Sequence, residues 1–517
     1  MPALAGLLLC ALPALAATPA GCDLHWQLAL PADRSQPIAV TLTFDAGNRS
    51  RTELQLPDGG DVGVLAEPGA PALDPVPGRP LARSVAHKPG ERITLRFMVA
   101  PMPGAWLRLG TDSLMLAARA LLPWPTEPGR WQMCLGLDGL PGGAALLSNQ
   151  GQQLQGDEPL LRLQGPASLA REWVLAAGAL LLAERQVEGQ TLRVVVAADM
   201  PAQGFDPDAL TDAAARQLAL LRRQWGDGPA PAQWLLLLPA PASAAADTLP
   251  RGLALHQAVL LQAPAAATPA SGALDGVLLE TLQQAWLRER FGPVAFEPRA
   301  DEAPTAWFSR GFASFFAQRL RSASGQWRLQ DQAAALNALL PGGSAAGQPA
   351  PWLAMRWHTA LRAQGQPGLD PLMKRLMLPA GQSQVTGPLS APLATHRLQA
   401  ALRNVLAEAP STDLQQLAGR GPAVALTPEV LGPCFGFDAA ARQVVARGEG
   451  EPDADCRGWL EALSPPAGVA ARSGGSKAAA AKSAKAARSA KTGKTAKAAK
   501  SGGKSTKKTA TTHKARH

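Results

Sequence analysis

Residues 278–316 read LLETLQQAWLRERFGPVAFEPRADEAPTAWFSRGFASFF, and the fold turns on this stretch. It predicts two helices, over about 274–290 and about 304–320, joined by a short polar link. On the first, Glu280 and Gln284 stand one turn apart, with Thr281 beside Glu280 and Trp286 just beyond. On the second, Arg310 precedes a Gly-Phe-Ala-Ser-Phe-Phe run. Paired helices that present side chains one turn apart are the arrangement in which proteins assemble a metal site.

Working outward, helical periodicity begins near residue 206. Asp206 can cap a helix with Pro207 at its first position, and Gly226 can end it. Leu210, Ala214, Leu218, Leu221 and Trp225 line one face. The run Trp234-Leu235-Leu236-Leu237-Leu238 predicts a buried strand, and Asp370-Pro371 another helix start. Upstream, residues 22–200 read as mostly β. Leu24, Trp26, Leu28 and Leu30 alternate with smaller or polar residues, as do Ile38, Val40, Leu42 and Phe44. Ile93, Leu95, Phe97 and Val99 repeat the pattern, and Leu192, Val194 and Val196 form a further strand. Pro- and Gly-containing clusters such as Glu67-Pro68-Gly69 punctuate them.

The N-terminus is an apolar run ending in Ala14-Leu15-Ala16, the form of a secretory signal with a small-residue cleavage site. It lacks Lys or Arg near its start, which leaves an upstream start codon open. Pro19 disfavours a lipid anchor at Cys22. No later stretch is apolar enough for a membrane span. Cys10 leaves with the signal; sequence position favours the pairs Cys22–Cys134 and Cys434–Cys456, in keeping with an oxidising compartment. The +10 formal charge is unevenly placed. From Arg472 onward there are 14 Lys and Arg and no acidic residue, so the rest holds 36 basic against 40 acidic residues. The tail from about Ser473 has no large apolar residue to offset ordering entropy and reads as disordered.

The 278–316 frame resembles the glycyl aminopeptidase family of the thermolysin-like metallopeptidase clan. That family carries HExxHxW, a basic turn to a Pro-Ala segment, and a second helix reading W-x-x-E-G-F-x-S-Y-Y. Here Gln284-Ala285-Trp286, then Arg288, Arg290 and Pro293, follow the first part. Trp307, Gly311, Phe312, Ser314, Phe315 and Phe316 follow the second. The resemblance implies a multidomain α+β fold. Its expected order is a signal peptide (1–16), a β-sandwich-like domain (17–202) and a mainly helical peptidase-homologous domain (203–390). A helical C-terminal segment with a disulfide (391–466) and the disordered basic tail (467–517) follow.

The resemblance also implies a zinc site that these residues do not supply. In the preferred register Glu280 and Gln284 take the two His positions, Thr281 the general base and Arg310 the third ligand. Shifting by one places Leu279 and Gln283 at the His positions, with Glu280 as base. Neither register supplies an imidazole, and a fixed cation at Arg310 repels zinc. The family's Gly-Gly-Leu-Glu-His stretch corresponds at best to Arg251–His256, without its carboxylate. Its oxyanion Tyr has no counterpart in a chain with no Tyr; Pro349-Ala350-Pro351-Trp352 stands there instead. Glu280 and Arg310 are expected either to form a buried ion pair with Gln284 beside it, replacing the metal, or both to point to solvent. His256, Trp286 and Phe315 are candidate cleft residues, although Phe308, Phe312, Phe315 and Phe316 read first as core. His25, His87, His358 and His396 are scattered, without carboxylate or Cys at ligand spacing, and Ser309 lacks the Gly of a nucleophile elbow.

Three functional readings result. The first is an exported bacterial protein, periplasmic or secreted, without zinc or catalysis, that binds a peptide or protein. The second is an envelope tether whose tail (473–517) holds polyanions such as DNA, lipopolysaccharide or cell-wall polymer through charge alone. The third is an active hydrolase with other ligands, for which Asp301, Glu302 and Glu280 are the acidic candidates.

Overall fold

The computed structural model describes residues 21–58, 60–64, 71–101, 105–127, 129–140, 146–150, 160–201, 204–226, 230–239, 250–264, 273–291, 311–340, 350–376, 400, 402–404, 406, 413, 426–447 and 454–461. The expected signal, the link with Pro293, Asp301 and Glu302, the residues Trp307, Ser309 and Arg310, and Pro349, His396 and the tail lie outside that set.

The N-terminal region is β. One sheet has six strands, in the order Leu160–Gly165, Trp131–Asp138, Leu24–Ala29, Ile38–Asp45, Arg92–Pro101, Gly60–Val64. Leu24–Ala29 pairs antiparallel with Ile38–Asp45 and parallel with Trp131–Asp138. The predicted alternation sets its faces. Leu24, Trp26, Leu28, Val40, Leu42, Phe44, Leu95, Phe97 and Val99 are buried in one core, because residues two apart share a face. Trp26 closes that core edge-on to Trp173 at 5.7 Å, and its indole N–H donates to the Pro123 carbonyl (2.6 Å). A Cys22–Cys134 disulfide (Cα–Cα 5.8 Å) ties the start of the first strand to its parallel neighbour.

A four-stranded sheet joins this region to the next. Its strand Ser113–Ala117 is buried on both faces. Leu114 and Leu116, with Leu175 and Ala177 on the paired strand Val174–Gly178, belong to the first core. Met115 and Ala117, with Val174 and Ala176, belong to a second. One strand, apolar at every position from Leu114 to Ala117, thus serves two cores, as a strand covered on both sides must.

The second core forms around a mixed five-stranded sheet, in the order Leu180–Val187, Gln190–Ala197, Gln233–Pro239, Ala258–Ala263, Arg251–Leu255. Its first two strands include Leu192–Val196, which the sequence reading grouped with the β region before residue 202; they hydrogen-bond into this sheet instead. Helix α1 (Pro207–Trp225) is capped as expected. The Asp206 carboxylate accepts the Asp208 and Ala209 N–H groups (3.0 and 3.1 Å), and Gly226 ends it at φ 63°. Helix α2 (Ala273–Phe291) packs on the edge strand Arg251–Leu255 and on α1. Gly311 and Phe312 lie in a π-helical turn that leads into α3 (Ala313–Ala323). Phe316 is edge-on to Trp225 at 5.1 Å, and Phe312 lies 6.0 Å from Trp357.

Helices α4 (Leu329–Ala338), α5 (Ala350–Ala363) and α6 (Leu369–Leu376) complete the helical layer. The C-terminal segment, expected to be helical, includes a β-hairpin, Phe435–Asp438 with Gln443–Ala446. Tertiary contacts explain it. Phe435 and Val444 are buried, and Asn337 of α4 bonds both the Val444 N–H (2.6 Å) and its carbonyl (2.9 Å), as a neighbouring strand would. A turn at Pro428–Leu431 and the helix Ala454–Glu461 flank the hairpin, and Cys434–Cys456 closes the segment. Among the described residues no helix is long and apolar enough to cross a membrane.

Candidate functional site

The region to inspect is the face of α2 towards the edge strand Arg251–Leu255 and α3. Glu280 and Gln284 fall one turn apart, both half-buried, and the Gln284 amide N–H donates to the Glu280 carboxylate (3.4 Å). Thr281 is buried. Its hydroxyl donates to the Val277 carbonyl one turn back (2.6 Å). Directly against it lies Gly252 of the edge strand: a Cβ added there would overlap the Thr281 hydroxyl and lie 2.8 Å from its Cβ and Cγ2. Edge strand and helix are thus in van der Waals contact at this point.

The alternative register is fully interior. Leu279 packs with Ala317 and Leu320 of α3 and with Leu220 of α1. Gln283 is buried, and its side-chain carbonyl accepts the Trp225 indole N–H (3.3 Å). These contacts fasten α2 to α1 and α3.

Trp286 and Phe315 are core residues. The Arg222 and Arg290 guanidiniums lie 5.7 and 5.1 Å from the Trp286 ring, so Arg290 of the basic turn acts as packing. Phe315 contacts Phe316 and the His358 ring at 5.4 and 5.5 Å, with Arg319 over it at 5.2 Å. His256 sits at the tip of the edge hairpin. Its N–H donates to the Glu172 carboxylate (2.9 Å), and its carbonyl accepts the Asn149 amide (2.7 Å). The β region thereby positions the strand that borders α2, a role no pattern in the sequence announces. Arg251, at the other end of that strand, reaches Gln262 (2.6 Å) and lies over Trp106; burial lowers its pKa.

The first turn of α2 carries a second polar group that sequence reading missed. Burial raises the Asp275 pKa, opposed by the positive charges of Arg216 and Arg321. Arg321 of α3 packs against Gly276 and the Trp327 ring (4.0 Å), and burial lowers its pKa. Among the described residues, no three His, Cys, Asp or Glu side chains come together as metal ligands would. Arg310, the third position of the expected triangle, lies outside the described residues.

This arrangement of a β-rich region, a mixed sheet with an antiparallel edge strand and packed helices is similar in fold to a solved aminopeptidase structure. A crystal structure of an aminopeptidase N family protein from Idiomarina loihiensis superposes with TM-score 0.56 at 12% identity, over 80% of this chain and 78% of that one. An M1 zinc metallopeptidase from Deinococcus radiodurans gives TM-score 0.47 at 20% identity, over 79% and 94%. The fold likeness rests on the first. No protein-family model matches the chain, and no curated protein matches it in sequence.

Proposed function

We propose that this chain is an exported, non-catalytic protein on a zinc-aminopeptidase fold, which holds a peptide or protein rather than cleaving it. The observation that carries the reading is the bonded pair Glu280–Gln284 with Thr281 sealed beside it. Zinc does not suit these side chains. Structural and catalytic zinc sites are built from imidazole, thiolate and carboxylate, and of these three side chains only Glu280 belongs to that set, Gln284 offering a neutral amide oxygen and Thr281 a neutral hydroxyl. No His or Cys occurs anywhere between His256 and His358, so this helix pair has no imidazole or thiolate to draw on. Within the clan, the order of residues around Trp286 and Gly311–Phe316 favours a degenerate glycyl-aminopeptidase-like chain. Two disulfides and the signal-like N-terminus support an exported location.

Elemental analysis of the natively purified protein tests the reading. After dialysis against zinc, less than about a tenth of an equivalent should remain bound. Stoichiometric zinc, with chelator-sensitive peptide hydrolysis, overturns it in favour of an enzyme with other ligands, for which Asp301 and Glu302 are the first residues to substitute.

One observation favours a second activity alongside the first. The basic residues of 473–517 are segregated from a net acidic remainder, as a segment that binds polyanions by charge requires.

A further inference from the structure

His358 lies where α3, α5, α6 and the helix Ala454–Glu461 meet, and it is fully buried. Its Nδ1 accepts the Leu369 N–H (3.2 Å) and stands 3.4 Å from an Arg319 guanidinium nitrogen. With Nδ1 accepting, the neutral ring carries its proton on Nε2, which has no hydrogen-bond partner among the described atoms. Phe315 lies against the ring at 5.5 Å, and Trp459 of the C-terminal helix meets it edge-on at 5.9 Å. Gly368, at φ 91°, passes so close that an added Cβ would lie 2.6 Å from Nδ1. The site leaves no room for the ring to turn away.

The charges around it are mostly of one sign. Arg319 approaches from α3 and Arg362 from α5 itself. Asp370 of α6 is the nearby anion, and its carboxylate is engaged by Arg319 (2.6 Å) and Gln224 (3.3 Å). The C-terminal helix presents the uncharged Trp459 ring. Burial first, then Arg319 and Arg362, hold the imidazole well below its ordinary pKa.

We infer that His358 is an acid-sensitive latch for the C-terminal helix. A proton taken at Nδ1 removes the acceptor for Leu369, sets a second cation beside Arg319, and loosens Trp459 with the helix that carries it. The Cys434–Cys456 disulfide keeps the loosened helix tethered.

The sign follows from linkage. The latched ring binds a proton less readily than the opened one, which titrates near its ordinary value. Latching is therefore complete above about pH 6.5 and weakens as pH falls below it. At about pH 5.0 the helix should open about 30-fold more often than at about pH 7.5.

Amide hydrogen exchange of Ala454–Glu461 in the full, disulfide-intact chain, corrected for intrinsic rates, reads this directly. Wild type should lose about 30-fold protection between those pH values. His358→Asn, whose side-chain carbonyl can accept the Leu369 N–H without titrating, should lose none. Unchanged protection in wild type, or an equal loss in the variant, overturns the inference. Should the variant fail to fold, deuterium exchange at the His358 ring C2–H of wild type gives the titration itself. A midpoint depressed below the ordinary value is expected; one at or above about 6.5 overturns the latch.

Discussion

Gly252→Ala tests whether the edge strand is sealed against α2. An alanine methyl at this position would stand 2.8 Å from the Cβ and Cγ2 of Thr281 and overlap its hydroxyl. Carbon atoms in contact prefer about 3.5–4.0 Å, so strand and helix must part by about 1 Å. Overpacking of that size costs about 1–3 kcal/mol. Part of the strain should be removable from the other side. Thr281→Ala deletes the hydroxyl and Cγ2 and leaves only the Cβ contact, so the double variant should recover about 1 kcal/mol relative to the sum of the two singles. Urea unfolding followed by circular dichroism, with the slope checked for constancy, measures all four corners of the cycle. If Gly252→Ala lies within about 0.5 kcal/mol of the parent and the two substitutions add, the strand is not seated on Thr281. The position that a general base occupies in the resembling family would then be open, and the argument for a sealed site would fail with it.

Two further predictions concern the hairpin tip and the tail. Asn149 donates to the Glu172 and His256 carbonyls (2.8 and 2.7 Å) and accepts the Val174 N–H (3.1 Å). Asn149→Ala strands three backbone groups at a buried site and should cost about 2–4 kcal/mol, with faster amide exchange at His256 and Gln257; an unchanged urea midpoint would show that the β region does not hold the hairpin. Removing residues 473–517 should abolish salt-sensitive retention on an anionic resin while leaving the melting temperature unaltered. Retention that survives the truncation would assign the binding to the folded part.

Legibility in the sequence followed how local each determinant is. The α1 caps, Asp206-Pro207 and Gly226, are contained within one helix and its neighbours, and the structure has them as read. The strands built on Leu24–Leu28, Ile38–Phe44 and Ile93–Val99 declare their buried faces by parity, and they too are as read. The cysteine pairs followed from position along the chain. Where tertiary context decides, the sequence was mute. Leu192–Val196 has the same alternation whichever sheet it joins; what assigns it is the parallel neighbour Gln233–Pro239, about forty residues on. The hairpin at Phe435–Ala446 depends on Asn337, more than a hundred residues upstream. The candidate site divides the same way. Spacing alone put Glu280 and Gln284 on one face of α2 and read Phe315 first as core, but nothing in the sequence revealed Gly252 against Thr281, or Trp286 turned inward.

What holds α2 in place is the set of side chains packed around it. Leu279 meets Ala317 and Leu320 in a dry contact, Trp225 joins α1 to Phe316 of α3 and to Gln283 of α2, and Phe312 bridges to Trp357 of α5. Each fully buried leucine or aromatic ring in that set contributes about 1.5–3 kcal/mol by removal from water. A few such contacts exceed what the bonded pair Glu280–Gln284, half-open to solvent, can add. The helices are therefore held chiefly by these apolar contacts rather than by the polar pair on α2.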